Sequence, residues 1–205
     1  MVLENKNGIK DPAELARIEE RISKTKALAL FESGLLDTFE VGTFNGLAAI
    51  HRYLFEEIYD FAGTIRTVNI AKGGFRFAPV LYLETALAQI DAMRQSTFDE
   101  IIEKYVEMNV AHPFREGNGR SMRIWLDIML KRALHCVIDW SLVDTDDYLL
   151  AMERSPIKDV EIKVLLHAAM TDRINDREVY MKGIDASYRY EGYNAFRSVE
   201  LKIPE

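Results

Sequence analysis

Residues 112–123 read His112-Pro113-Phe114-Arg115-Glu116-Gly117-Asn118-Gly119-Arg120-Ser121-Met122-Arg123, a polar, glycine-bearing interruption between two strongly amphipathic helical patterns. Upstream, Thr97 and Glu100 make a capping box that opens a helix through Ile101, Ile102, Tyr105 and Met108 toward Ala111. Downstream, Met122, Trp125, Met129 and Ala133 resume the helical period. Gly117 and Gly119 permit positive φ on either side of Asn118, so successive backbone N–H groups can converge into an anion-binding nest. A helix opening at about Asn118 or Gly119 adds its own N–H groups and the positive end of its dipole. Arg120 and Arg123 lie three apart, on one helical face, where two guanidinium forks can grip neighbouring phosphates. Glu116 would repel phosphate unless a divalent cation bridges them, as Mg²⁺ does with one or two carboxylates plus phosphate oxygens. His112, with an ordinary pKa near ~6.5, is a base suited to taking a hydroxyl proton at neutral pH. The stretch is built for a polyphosphate.

Outward from this loop the pattern stays helical. Asp11 as cap and Pro12 at the first helical position open a helix carrying Leu15, Ile18 and Ile22 and running to Gly34. Leu47, Ile50, Leu54, Ile58 and Phe61 predict a second, stopping near Gly63. The segment from Thr64 to Ala78 alternates instead: Val68, Ile70, Phe75 and Phe77 flank Lys72-Gly73-Gly74, a short hairpin and the one clear β signal. Leu83, Leu87, Ile90 and Met93 carry the next helix, and further helices are expected at about Thr145 to Arg154, Asp159 to Met170, and after Asn175. The fold class is all-α, a helical bundle core with a short β-hairpin, and nothing divides residues 1–205 into two domains.

Composition narrows the function classes. Lys and Arg total 26 against 33 Asp and Glu, a formal charge of −7, which removes the general attraction that nucleic-acid and anionic-membrane binders use. No run approaches the ~20 apolar residues of a membrane span, the N-terminus lacks a signal-peptide pattern, and Cys136 alone cannot form an internal disulfide, so a cytoplasmic protein is expected. There is no G-x-x-x-x-G-K-[ST] loop and no H-E-x-x-H, which excludes a P-loop nucleotidase and a zincin protease.

The stretch HPFREGNGRSMR resembles the signature of the Fic family, H-x-F-x-[DE]-G-N-G-R-x-x-R, at every specified position. Ile50-His51-Arg52-Tyr53-Leu54-Phe55 through Tyr59-Asp60-Phe61-Ala62-Gly63 to Arg66 resembles the family's upstream segment, and Gly73-Gly74-Phe75-Arg76-Phe77 its flap hairpin. The resemblance runs from about Phe31 to Tyr193, with a core at about 31–170. It implies a protein adenylyltransferase that moves AMP from Mg-ATP to a protein hydroxyl. In that reading His112 deprotonates the target Ser, Thr or Tyr, and Phe114 anchors the loop in the core. Glu116 holds Mg²⁺, while Gly117, Asn118 and Gly119 form the nest, Asn118 also reaching the α-phosphate. Arg120 meets the β-phosphate and Arg123 the γ-phosphate. The flap, Lys72, Gly73, Gly74, Phe75, Arg76 and Phe77, takes the target segment by strand addition.

Near the C-terminus Ser187-Tyr188-Arg189-Tyr190-Glu191-Gly192 resembles the [ST]-x-x-x-E-[GN] motif of regulated Fic proteins, in the class (class III) whose inhibitory helix, here about 184–194, follows the core. It implies that Ser187 orients Glu191, one helical turn away, and that Glu191 pairs with Arg123 and so blocks productive ATP binding. The resemblance also implies self-association into a homo-oligomer, self-modification at tyrosines such as Tyr188, and a target that in bacterial relatives is the ATPase subunit of a type II topoisomerase. Two other readings stay open: a de-AMPylating hydrolase in which Glu191 orients a water, and a nucleotide-sensing interaction module that needs no His112.

Overall fold

The structure, a computed structural model, describes residues 2–72 and 75–189. Eight helices carry the described fold: α1 (Pro12–Glu32), α2 (Phe44–Phe55), α3 (Val80–Ala92), α4 (Phe98–Ala111), α5 (Asn118–Leu134), α6 (Thr145–Arg154), α7 (Val160–Ala168) and α8 (Arg177–Arg189). The local signals act as expected at several starts. Asp11 accepts from Glu14 N at 2.8 Å with Pro12 following, and Thr97 and Glu100 complete a reciprocal capping box. At α6 the cap is Asp144, whose side chain accepts from Asp146 N and Asp147 N.

The hairpin forms where the alternation placed it, between β1 (Ala71–Lys72) and β2 (Phe75–Arg76), antiparallel with Ala71 opposite Arg76 and Lys72 opposite Phe75. Gly73 and Gly74 lie outside the described residues. A second antiparallel pair, β3 (Val137–Ile138) with β4 (Met170–Thr171), was not expected. Two-residue strands leave no periodicity to read in sequence, and this pair exists because it ties the end of α5 to the chain leaving α7.

Two other departures have physical causes. The second helix stops at Phe55, short of the expected Phe61, yet Ile58 stays fully buried because single turns, Ile58 N and Tyr59 N both to Phe55 O at 2.9 Å, continue the same spacing. On α1 the expected Leu15-Ile18-Ile22 stripe holds only in part: Leu15 is buried and Ile22 packs half-buried against the core, but Ile18 is only half-buried. The fully buried face carries Leu15, Glu19, Glu20, Ser23, Lys24, Ala27, Leu28 and Leu30. Charged side chains turn inward there because partners meet them: Lys24 bridges Glu20 and Asp185 of α8 at 2.8 Å each, and Glu19 meets Arg120 of α5.

The central layer is α2, α4 and α5, with α1 and α8 laid across α2 and α5, and α3 beside α4. Trp125 and Trp140 are fully buried, and Trp125 Nε1 donates to Thr43 O at 3.0 Å, locking α5 onto the start of α2. This packing holds the 112–117 loop between α4 and α5 against α2.

Candidate active site

His112 ends α4 in a left-handed conformation, φ 47° and ψ 63°, which turns the chain sharply out of the helix. Its Nδ1 lies 3.3 Å from Asn109 O. A carbonyl can only accept, so Nδ1 carries the proton and Nε2 keeps a lone pair. Burial, with the nearby charges of Arg66 and Lys72, pushes the imidazole pKa down to about 3, so the ring is neutral at physiological pH. Its face stacks on Phe77 of the hairpin, ring centres 3.7 Å apart.

The loop is held by side chains rather than by its own turns. Phe114 is fully buried between His51, centroids 3.9 Å apart, and Phe44, 5.9 Å. His51, on α2, accepts from Gly63 N at Nδ1 and donates from Nε2 to Glu116 O, both at 2.8 Å. That pair of bonds requires the neutral Nε2–H tautomer, in keeping with a pKa pushed down to about 3 by burial. The Asn118 amide closes the loop on itself, Oδ1 accepting from Phe114 N at 2.9 Å and Nδ2 donating to Phe114 O at 2.8 Å. The side chain assigned by resemblance to the α-phosphate is thus a loop staple, with one Nδ2 hydrogen and its backbone N–H at the start of α5 left outside these two bonds.

That helix start is open chemically. Gly117 is its N-cap, with φ 78°, and has no side chain to turn back onto the first N–H groups. The first intrahelical bond runs from Ser121 N to Gly117 O at 3.2 Å, so the N–H groups of Asn118 and Gly119 precede it. A Cβ at Gly117 would lie 2.5 Å from Phe55 Cε2 and 3.2 Å from His51 Nε2, which is a second reason for glycine.

The two arginines of α5 take separate settings. Arg120 is buried; its guanidinium lies 5.0 Å above the Phe55 ring and 4.9 Å from that of Tyr188, donates to Glu116 Oε1 at 2.9 Å and bridges Glu19. Arg123 is buried too, its guanidinium 4.6 Å from the Trp140 ring and 5.0 Å from that of Tyr148, with Nη1 donating to Gly119 O at 3.2 Å. Glu116 keeps 38% of its side chain exposed. Among the described residues no group of three or more His, Cys, Asp or Glu could hold a metal ion. The donor set therefore fits a divalent cation in one way, with Glu116 supplying a carboxylate and phosphate oxygens supplying the rest.

On α8, Ser187 is buried and donates to Ile184 O at 2.6 Å, while the buried Tyr188 hydroxyl bonds Ser23 of α1. Glu191 and Gly192, with Tyr190 and Tyr193, lie outside the described residues. Glu19, at the centre of this site, escaped sequence reasoning, while His51 and Arg66 entered only as members of the upstream segment, without their partners. The sequence signal for Glu19 is its place four residues after Leu15, on the same helical face.

A family model described as Fic/DOC family matches residues 43–130, which contain the α2 clamp, the hairpin and the whole loop. The probable protein adenylyltransferase y4lH of Sinorhizobium fredii is 32% identical over 75% of this chain and 83% of its own length. The chain belongs to the Fic/DOC family. The protein adenylyltransferase VbhT of Bartonella schoenbuchensis is 28% identical over 94% of the chain, which spans only 44% of that relative's length. Among solved structures, the BepC protein of Bartonella tribocorum with bound AMPPNP superposes with a TM-score of 0.67 at 19% identity, covering 83% of this chain and 93% of that one. This Fic/DOC protein thus shares its helical fold with solved members, and its signature loop sits where α4 hands over to α5.

Proposed function

We propose that this Fic/DOC protein is an autoinhibited protein adenylyltransferase, a nucleotidyltransferase that passes AMP from Mg-ATP to a Ser, Thr or Tyr hydroxyl of a target protein. Relatives named adenylyltransferases support the activity class. The observation that carries the reading within this chain is a neutral His112 with its Nε2 lone pair intact, six residues before a helix start that no side chain caps.

In the proposed step the target oxygen attacks the α-phosphorus while the bond to the oxygen leading to the β-phosphorus breaks. The hydroxyl proton passes to His112 Nε2, and pyrophosphate leaves carrying the electron pair. The Asn118 and Gly119 N–H groups and the dipole of α5 favour the negative charge on the transferring phosphoryl oxygens. Arg120 binds the β-phosphate and Arg123 the γ-phosphate, the aromatic rings holding both guanidinium planes in place. A divalent cation at Glu116 neutralises charge on the phosphate chain when bound. The hairpin, through Lys72, Phe75, Arg76 and Phe77, adds a strand of the target beside His112.

The restraint is the segment that follows α8. Tyr188 brings the end of α8 over the Arg120 guanidinium and onto α1, and Glu191 follows three residues later in the sequence, which supports its reading as the inhibitory residue. With Tyr188 buried, its self-modification requires α8 to lift. The test is intact-mass spectrometry of Glu191→Gly incubated with Mg-ATP and a cell lysate, with type II topoisomerase ATPase subunits as the first purified substrates. Addition of AMP is expected, and it disappears when His112→Ala is combined with Glu191→Gly. A Glu191→Gly protein that adds no AMP to itself or to any lysate protein overturns the reading.

A further inference from the structure

Arg66 is buried in the chain leaving α2, and its hydrogen bonds go to the two structures that must meet for transfer. On the hairpin side, Nη1 donates to Val68 O at 2.8 Å and Nη2 to Ala78 O at 2.5 Å, carbonyls on either flank of the β1–β2 pair. On the helix side, Nη2 donates to Ala111 O at 3.0 Å and Nε to His112 O at 2.8 Å, the last carbonyls of α4. Its own backbone N–H donates to Pro113 O at 2.8 Å. One planar group with a fixed fork therefore satisfies four carbonyls drawn from two separate elements.

The need for it follows from what each element lacks. A hairpin with two residues in each strand has no stability of its own. The left-handed exit of His112 is a strained position for a residue with a Cβ, and it leaves the final carbonyls of α4 without helical partners. Arg66 resolves both at once. Neighbouring bonds follow its lead: Ala78 N donates to Val110 O at 2.9 Å, Val80 N to Asn69 Oδ1 at 2.9 Å, and Phe77 is left stacked on the imidazole.

We propose that Arg66 is a positioning residue that makes the hairpin and the His112 turn one rigid unit, so that a protein strand added to the hairpin arrives in register with the base. This rests on the transferase reading above. Nucleotide binding is assigned to residues 116–123, and the four side-chain hydrogen bonds of Arg66 go to none of them. Arg66 thus divides the site into a nucleotide half that it leaves alone and a hydroxyl half that it aligns.

The test uses the full chain carrying Glu191→Gly, with Arg66→Lys or Arg66→Gln added. Lysine keeps the charge but cannot span four carbonyls in a plane. Self-labelling with radiolabelled ATP is expected to slow by roughly 10- to 100-fold in Arg66→Lys, the scale of a misplacement near 1 Å, and further in Arg66→Gln. Affinity for a non-hydrolysable ATP analogue stays within about twofold, because Arg120, Arg123 and the α5 start are untouched. Hydrogen exchange of the Phe77 and Ala78 amides speeds up while exchange across α5 does not, which a general loss of stability would not produce. Labelling at the parental rate, or exchange faster throughout the chain, overturns the proposal. If the Glu191→Gly parent itself transfers nothing, the transferase reading has failed, and the exchange arm still decides whether Arg66 joins hairpin to helix. Should Arg66→Lys fail to fold, Phe77→Ala removes the hairpin's contact with His112 from the other side and must show the same slow labelling with unchanged nucleotide affinity.

Discussion

Glu19→Gln removes a charge from the centre of the site while keeping the side chain's size. Glu19 bridges Arg120 and accepts from the Tyr59 hydroxyl, and both it and Arg120 are buried. Removing one partner of a buried ion pair costs about 3–5 kcal/mol when it strands the other charge. Arg120 is not stranded here, because Glu116 Oε1 remains at 2.9 Å and two aromatic rings flank the guanidinium. The loss is then nearer that of a hydrogen bond to a charged group, about 2 kcal/mol, and in a chain of this size lowers Tm by about 4–8 °C. A second arm tests the chemistry. If Arg120 binds the β-phosphate, Glu19 competes with nucleotide for that guanidinium, and its removal tightens binding. A tenfold gain, about 1.4 kcal/mol, adds about 3–6 °C to the stabilisation given by Mg-ATP in a Glu191→Gly background. Thermal melts of the two proteins with and without Mg-ATP measure both. A Tm within a degree of the parent, together with an identical nucleotide shift, refutes the reasoning.

Three further outcomes follow from the same geometry. Gly117→Ala places a Cβ 2.5 Å from the buried Phe55 ring at φ 78°, so overpacking of about 1–3 kcal/mol adds to a left-handed cost of about 1–2 kcal/mol; thermal melts should fall, and titration with an ATP analogue should show weakened binding. His51 has a folded pKa pushed down to about 3, so the unfolded chain takes up a proton first as pH drops. Stability should decline by up to about 1.4 kcal/mol per pH unit from ~6.5 down toward 3, and urea midpoints of His51→Gln should show a shallower slope over that window. Asp127 behaves oppositely: burial raises its pKa to about 7, so the folded chain holds the proton and stability falls as pH rises from ~4 to 7. Asp127→Asn keeps an oxygen for Ile138 N and should melt higher than the parent at pH 8 but not at pH 4.

Much of the frame was legible from local chemistry. The caps at Asp11 and Thr97, the hairpin around residues 71–76 and the start of α5 at Asn118 are decided by residues within one or two turns, so sequence spacing reaches them. The β3–β4 pair joins residues more than thirty positions apart and has no local signature. The end of α2 at Phe55 was missed because turns can continue a helical spacing without being helix.

What the sequence alone determined is the set of groups the loop presents: an imidazole at His112, a carboxylate at Glu116, and glycines at Gly117 and Gly119 around the helix start. These follow from residue type and order along twelve positions. Tertiary structure decided what those groups are tied to. Asn118 staples the loop, Glu19 comes across from α1 to Arg120, and Arg66 joins the hairpin to His112. The last two depend on bonds between elements far apart in the chain, and the first on the fold of the loop itself. A side chain's type states which bonds it can make, and only the packing of helices states which partner is within 3 Å.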